Sequence, residues 1–331
     1  MRTRPAGRGG LTVTELSFVA AQIGNLFTAM TDQDATRAVD AAWSAGVRYF
    51  DTAPHYGLGL SERRLGTALD RRPRDEFVVS TKVGRLLVPH PAGASGRDTE
   101  GFDVPAVWRR VRDYSRDGVL RSLDDSLARL GLRHIDIAFV HDPDEHYRDA
   151  LEGALPALER LRRDGVITSY GAGMNQSAML AEFIRHTDLD IVMLAGRYTL
   201  LEQGALDDLL PLCLQRHVSV IAAGVFNSGL LAGSRPAPGA RYNYAPAPAA
   251  LLDQASRIAV ICERFGTTLP TAAAQFPLAH PAVASVCLGM RSPGQVRRNA
   301  ALIEASIPIE LWSALKSERL LREDAPTPPV T

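Results

Sequence analysis
Eight short apolar runs rich in β-branched residues alternate along this chain with longer segments whose apolar residues recur every three or four positions. That order constrains the fold more than any other feature, because a strand lying parallel to its neighbour needs a long return connection, and a helix supplies one. Strands are expected near 15–20, 47–51, 77–82, 135–141, 168–172, 191–194, 218–222 and 284–288. Helical stretches include 34–45, 107–130, 150–164, 178–186, 204–216, 249–265 and 293–304. Neither a linker nor a change of composition separates two halves, so the pattern predicts an α/β fold of the (β/α)8 TIM-barrel type rather than two doubly wound sheets. A single domain over 1–331 is expected, ordered from about 11 to 322, with 323–331 and its Pro-Thr-Pro-Pro run as a tail.

Two Gly/Pro-rich stretches, 84–105 after the third strand and 224–248 after the seventh, interrupt this rhythm. Both follow strand C-termini, where barrels carry their active sites, so each is a candidate lid or cofactor clasp; plain surface insertion is the alternative. Lys+Arg and Asp+Glu both total 37, so no net field favours nucleic acid, and a small neutral or weakly charged substrate fits better. Cys213, Cys262 and Cys287 show neither a C-x-x-C spacing nor a fourth partner, which predicts buried thiols in a reduced, cytoplasmic protein. The basic N-terminus runs into Thr14, Glu15 and Ser17 rather than an apolar secretory core, and no apolar run of about 18 residues suits a membrane. Oligomeric state is not legible in the helix faces.

Ionisable residues end three otherwise apolar strands. VRYFDTAPHYG places Asp51 at the end of the second, with Tyr56 in the loop that follows; VVSTKVGR places Lys82 at the same rim, and DIAFVHDPD brings His141 there. At such positions function explains a charge better than packing does. A phenol with an ordinary pKa of about 10 is a poor proton shuttle at neutral pH, and a neighbouring ammonium brings it closer to use. Lys82, one of only two lysines beside Lys316, would supply that charge. Asp51 would hold the ammonium protonated and in place, while the imidazole of His141 could orient a substrate oxygen or relay a proton.

FDTAPHYGLGLSERRLG, VVSTKVGR and FVHDPD resemble, in order and spacing, the signature regions of aldo-keto reductases, and the likeness runs over nearly the whole barrel. Asp51, Tyr56, Lys82 and His141 match the family's tetrad residue by residue. The resemblance implies hydride transfer between C4 of the nicotinamide of NAD(P) and a carbonyl or carbinol carbon, with Tyr56 as general acid in reduction and general base in oxidation. It also implies that Asn175, in GAGMNQ, binds the carboxamide, although Met174 stands where serine is common and Ala195 where glutamine often is. GVFNSGLLAG resembles the pyrophosphate loop, which implies contacts from Asn227, Ser228, Gly229 and Leu231. CLGMRSPGQVRRNAA resembles the adenosine-phosphate region, where Gly289 and Arg291 lie and Asn299 matches the adenine-contacting asparagine. Gln295 replaces the arginine that commonly grips a 2′-phosphate, which leaves NAD against NADP open unless Arg291 or Arg298 compensates.

Within the family, GRLL, HDPD, AGRYTLL and VFNSGLL resemble a branch of sugar dehydrogenases acting on L-fucose and D-threo-aldoses, with pyridoxal 4-dehydrogenase among its relatives. That implies oxidation of a cyclic hemiacetal at its anomeric carbon to a lactone. An aldehyde or ketone reductase is the alternative, and a nicotinamide-sensing binding subunit a more distant one. Asn25, by likeness to a pocket position of that branch, His55 beside Tyr56 and Asp142 after His141 are candidate substrate contacts, against plainer roles in shaping turns or facing solvent. HDPDEH could suggest a metal cluster, but no H-x-H ends an early strand to complete it, so no metal is expected. GLGLSE and GAGMNQ lack the third glycine of a dinucleotide fingerprint and read as tight βα turns. Trp43, Trp108 and Trp312 fall on helical segments and are expected to pack helices.

Overall fold
The chain opens with an antiparallel hairpin, β1 (Thr3–Ala6) against β2 (Leu11–Thr14). The structure, a computed structural model, describes residues 1–328 apart from 94, 238 and 244. Ala6 and Val13 of the hairpin are fully buried and join the residues that fill the barrel from below. Glu15, also buried, is held by ion pairs to Arg2 and Arg4, and Arg4 donates to the carbonyls of Leu278 and Val283. The expected onset of order at residue 11 is therefore corrected. Residues 3–6 already pair with the chain, because they cap apolar side chains that would otherwise face water.

Eight parallel strands follow and close into a barrel: β3 (Leu16–Val19), β4 (Tyr49–Asp51), β5 (Val78–Val83), β8 (Ile135–His141), β9 (Ile167–Met174), β10 (Ile191–Ala195), β11 (Ser219–Ala223) and β14 (Val283–Gly289). Every expected strand is present, shifted by no more than two residues at most ends. Around it lie α1 (Asp32–Ser44), α2 (Leu60–Leu69), α3 (Arg116–Leu130), α4 (Tyr147–Asp149), α5 (Leu155–Arg163), α6 (Ser177–His186), α7 (Leu209–Arg216), α8 (Ala249–Arg264), α9 (Leu269–Gln275), α10 (Pro293–Glu304) and α11 (Ile309–Ser317). Local chemistry sets several of these boundaries. Thr31 and Ser115 accept N-cap hydrogen bonds from Asp34 and Gly118, and Gly131 ends α3 in the left-handed conformation.

The helix expected over 107–130 needs correction. Its first part is β7 (Trp108–Arg112), which pairs antiparallel with β6 (Arg85–Pro89), and only Arg116–Leu130 is helical. Trp108 thus stands half-exposed on a strand, whereas Trp312 is buried on α11 as expected. WRRVR reads as helical by composition but forms a strand because RLLVP, across the excursion, offers it a hydrogen-bonding edge. A second small hairpin, β12 (Arg241–Tyr242) with β13 (Ala245–Pro246), lies in the excursion after β11.

Register decides what faces inward. Asp51 pairs with Ser80, Lys82 with Phe139, and His141 with Gly173. Residues two apart share a face, so Tyr49 with Asp51, Ser80 with Lys82, and Phe139 with His141 all point into the barrel. Tyr49, Ile137, Phe139, Ile191, Met193 and Ile221 form an apolar plug. The polar groups sit one layer higher, at the C-terminal ends of the strands.

Candidate active site
Three elements deliver the polar layer. Lys82 Nζ lies 2.8 and 2.6 Å from the two carboxylate oxygens of Asp51 and donates to the carbonyl of Thr52 at 2.9 Å. Ser80 Oγ donates to Asp51 Oδ1 at 2.7 Å, so the carboxylate is fixed from both sides. Lys82 is 2% exposed and Asp51 fully buried, a placement that requires the pairing, since either charge alone would be costly there. The ammonium lies 4.9 Å from the Tyr56 ring centroid, and the ring of His141 meets that of Tyr56 edge-on at 5.9 Å. Asp51, Tyr56, Lys82 and His141 are therefore brought together at one end of the barrel.

The loop carrying Tyr56 is set by tight contacts. Gly57 has φ +63°, and a Cβ there would come within 2.2 Å of the Gly24 carbonyl oxygen, so the turn needs glycine twice over. Ser61 Oγ donates to the Ala20 carbonyl and bonds Thr52 Oγ1, stitching this loop to the ends of β3 and β4. Beneath it, buried Glu62 accepts from Thr81 Oγ1 and from Arg129 Nε.

Charge states follow from burial and neighbours. Burial pushes the Tyr56 hydroxyl above its ordinary value, opposed chiefly by the charge of Lys82 beside it. The expected acidifying ammonium is thus in place, but desolvation outweighs it. Burial disfavours the Lys82 ammonium, yet Asp51 and Tyr56 more than reverse this, and Lys82 is held charged. His141 is driven well below its ordinary range by burial, then by Arg85 and Lys82, and is a neutral imidazole. His55 is lowered to about 2 by burial and by the charges of Arg85, Arg110 and Lys82.

The sequence reading did not single out the groups that wall this site on the β6–β7 side. Arg110 Nη1 lies 2.5 Å from Asp98, and its other terminal nitrogen donates to the His55 carbonyl. Asp98 in turn accepts from the backbone of Phe102, whose ring is 5.2 Å from that of His55 and 6.0 Å from that of Tyr56. Arg85 Nη2 lies 2.5 Å from Asp142 Oδ2. Neither RLLVP nor WRRVR alternates polar with apolar residues, so no strand period marked this wall in the sequence.

The other expected residues divide. His55 and Asp142 lie at the tetrad: the His55 and His141 rings are 5.6 Å apart, and Asp142 Oδ2 is 3.5 Å from His141 Nε2. Asn25, expected as a substrate contact, is engaged within the protein. Its amide oxygen accepts from Met30 N and Arg64, and its amide nitrogen donates to the Asp103 carbonyl, so it ties two loops together. Asn175 is exposed just beyond β9. Asn227 and Ser228 have left-handed backbone, φ 45° and 58°, and Ser228 and Gly229 are exposed, while Leu231 is buried and can offer only its backbone. Gly289 is exposed at the end of β14 against the Gln22 side chain. Gln295 Oε1 accepts from Arg291 N, and its own backbone N–H donates to Ser292 Oγ, the N-cap of α10, so this glutamine helps fix the start of that helix. Arg291 donates to the Ala29 carbonyl.

Two orphaned atoms bear on a dinucleotide. Asn227 Oδ1 and Asn299 Oδ1 are buried without a hydrogen-bond partner, one on the loop after β11 and one on α10. Buried acceptors need donors, and the exposed backbone beside them leaves room for a phosphate-bearing ligand, so these residues fit NAD(P). The excursion after β11 is tied down by Tyr242 to Glu202 and by Arg197 to Asn243. Among the described residues, no group of three or more His, Cys, Asp or Glu stands ready to hold a metal ion, and no helix is long and apolar enough to cross a membrane. His146 of HDPDEH bonds Asp149 instead.

Residues 15–319 match the aldo/keto reductase family. The chain belongs to that family. It is an oxidoreductase on a (β/α)8 barrel, and NAD(P) is the cofactor that membership brings. A D-threo-aldose 1-dehydrogenase of a Pseudomonas species is 48% identical, over 98% of this chain and 99% of the relative. A pyridoxal 4-dehydrogenase of Microbacterium luteolum is 41% identical over 96% and 97%. Among solved structures, the holo form of an aldo-keto reductase from Bacillus halodurans superposes with a TM-score of 0.75 at 26% identity, covering 100% of this chain and 98% of that one.

Proposed function
We propose that this aldo-keto reductase is an NAD(P)-dependent aldose 1-dehydrogenase that oxidises the anomeric carbon of a cyclic aldose, of the L-fucose or D-threo type, to its lactone. The observation that carries the reading is how charge is balanced around the tetrad. Lys82, Arg85 and Arg110 each have a carboxylate partner, in Asp51, Asp142 and Asp98, so these three charges are already matched within the protein. What lacks partners is neutral imidazole and N–H: His55 Nδ1, His141 Nδ1, Arg85 Nε and Arg110 Nε are buried and unbonded. Hydroxyl groups, which both donate and accept, suit such a wall. Identity to a D-threo-aldose 1-dehydrogenase supports the same class.

In oxidation, the anomeric C–H bond breaks with its electron pair, the C–O bond becomes C=O, and the hydroxyl proton leaves to Tyr56. NAD(P) supplies the hydride acceptor. Lys82 stabilises the phenolate that must accept the proton, and Asp51 holds Lys82 charged and aimed. His141, neutral, hydrogen-bonds the reacting oxygen without competing for the proton. Because burial raises the Tyr56 hydroxyl, its deprotonated form is scarce at neutral pH, and oxidation should accelerate into the alkaline range while reduction should not. Asn175 is assigned to the carboxamide; Asn227, Ser228, Gly229 and Leu231 to the pyrophosphate; and Gly289, Arg291, Gln295 and Asn299 to the adenosine end. The cytoplasm and a single barrel domain over 1–331 are part of the proposal.

A second reading is pyridoxal oxidation. The ring wall of His55 and Phe102 beside Tyr56 suits a flat pyridine, and the relative at 41% identity is a pyridoxal 4-dehydrogenase. Steady-state oxidation of L-fucose, D-arabinose and pyridoxal, each with NAD and with NADP, separates the two. Turnover of the sugars is expected; turnover of pyridoxal alone would favour the second reading, and none with any of the three would remove both.

A further inference from the structure
Among the groups that wall the tetrad, Arg85 has an unusual placement. It follows Gly84, which has φ +99° and whose Cβ would come within 2.2 Å of the Tyr114 ring, so the chain turns sharply off β5 immediately beyond Lys82. Its side chain is only about a tenth exposed, and Nη2 meets Asp142 Oδ2 at 2.5 Å while Nε has no partner. Asp142 is placed with equal care. It adopts φ +40°, a left-handed backbone rare for a residue with a side chain, and is clamped there on three sides. Its N donates to the Gly173 carbonyl, and its own carbonyl accepts from Arg112 and from Tyr114. The strained backbone lets its carboxylate reach within 3.5 Å of His141 Nε2 while still about a third exposed. A mere surface ion pair would need neither the strain nor the clamp.

We propose that Arg85 and Asp142 act as one hydroxyl-reading pair, selecting substrates that carry a hydroxyl on the carbon next to the reacting one. The hydroxyl donates to the Asp142 carboxylate and accepts from the Arg85 guanidinium. Asp142 and His141 are close enough for oxygens on adjacent carbons of one substrate to reach both. This rests on His141 contacting the reacting oxygen. It adds a selection rule, set by Arg85, which neither the tetrad nor the cofactor residues supply. The charge of Arg85 is also felt by His55, His141 and Asp142, as its position among them requires.

The test compares reduction of lactaldehyde and propanal with NAD(P)H, two aldehydes that differ by a single 2-hydroxyl. The wild type should favour lactaldehyde at least tenfold in kcat/KM. Arg85→Met should bring that ratio close to one, by raising the KM for lactaldehyde far more than that for propanal. Asp142→Asn should weaken the ratio less, because an amide oxygen still accepts. Should the Met variant fail to fold by circular dichroism, Arg85→Lys carries the same expectation, since lysine keeps the charge but lacks the Nε donor and the fork. Equal losses on both aldehydes would mean a structural role, and an unaltered ratio, or no preference in the wild type, would equally overturn the proposal. A lactaldehyde preference that depends on Arg85 in an enzyme that oxidises no aldose would keep the pair and refute the aldose reading.

Discussion

The two excursions at the barrel mouth are held by opposite means. The one after β5 is fastened by desolvated charge: the Arg110 side chain is 7% exposed and that of Asp98 5%, and the pair clamps Phe102 and the His55 carbonyl. The one after β11 is fastened by Tyr242 to Glu202 and by Arg197 to Asn243, bonds that are half-buried or exposed. Buried pairs are stiff and costly to break by halves, whereas exposed ones exchange readily with water. Under the proposed function this division is sensible. A substrate wall must keep its shape, while a clasp over a dinucleotide must let it in and out.

The difference can be broken from the buried side first. Arg110→Met leaves Asp98 charged and unpaired, and should cost about 3–5 kcal/mol in denaturant unfolding together with a raised substrate KM. A loss below about 1 kcal/mol would show that the pair is not the fastening it looks to be. Acid should come next. Burial keeps His55 and His141 neutral, and His280 is likewise lowered by burial, to about 4, whereas each would take up a proton in the unfolded chain near its ordinary 6.5. The unfolded state thus binds more protons below that pH. Stability should fall as pH drops through 6.5, a loss that for His280 is complete near 4 and for His55 continues toward 2. Residues 224–248 contain no histidine, aspartate or glutamate, so hydrogen exchange there should respond less to pH 5 than exchange at 98–112. Smallest of all, Tyr242→Phe should cost about 1 kcal/mol or less and weaken NAD(P) binding only a few-fold by fluorescence titration.

The same contrast governs how much was legible in the sequence. The barrel was, because eight β-branched runs separated by helical period leave few other topologies, and α10 was placed at both ends, 293–304, by its amphipathic spacing. The tetrad was legible because each member stands in or just after a strand-end motif. What escaped was built from pairing across long loops. β6 and β7 stabilise each other through partners some twenty residues apart, which no local period reveals, and WRRVR was taken for helix. Arg85 and Arg110 were hidden for another reason: in a chain rich in arginine, nothing local distinguishes a buried guanidinium from a solvated one. The bonds of Asn25 to Met30, Arg64 and Asp103 were likewise hidden, since likeness to a pocket position does not show what a side chain already holds.

The claim on which the rest depends is that Tyr56, beside the buried Lys82–Asp51 pair, moves the proton that accompanies hydride transfer. Tyr56→Phe removes one oxygen and leaves the ring packed against Phe102 and His141. Single-turnover hydride transfer, followed by nicotinamide absorbance, should fall by about 100-fold or more while the NAD(P) dissociation constant stays within a few-fold of wild type. Hydride transfer at the wild-type rate would contradict the account.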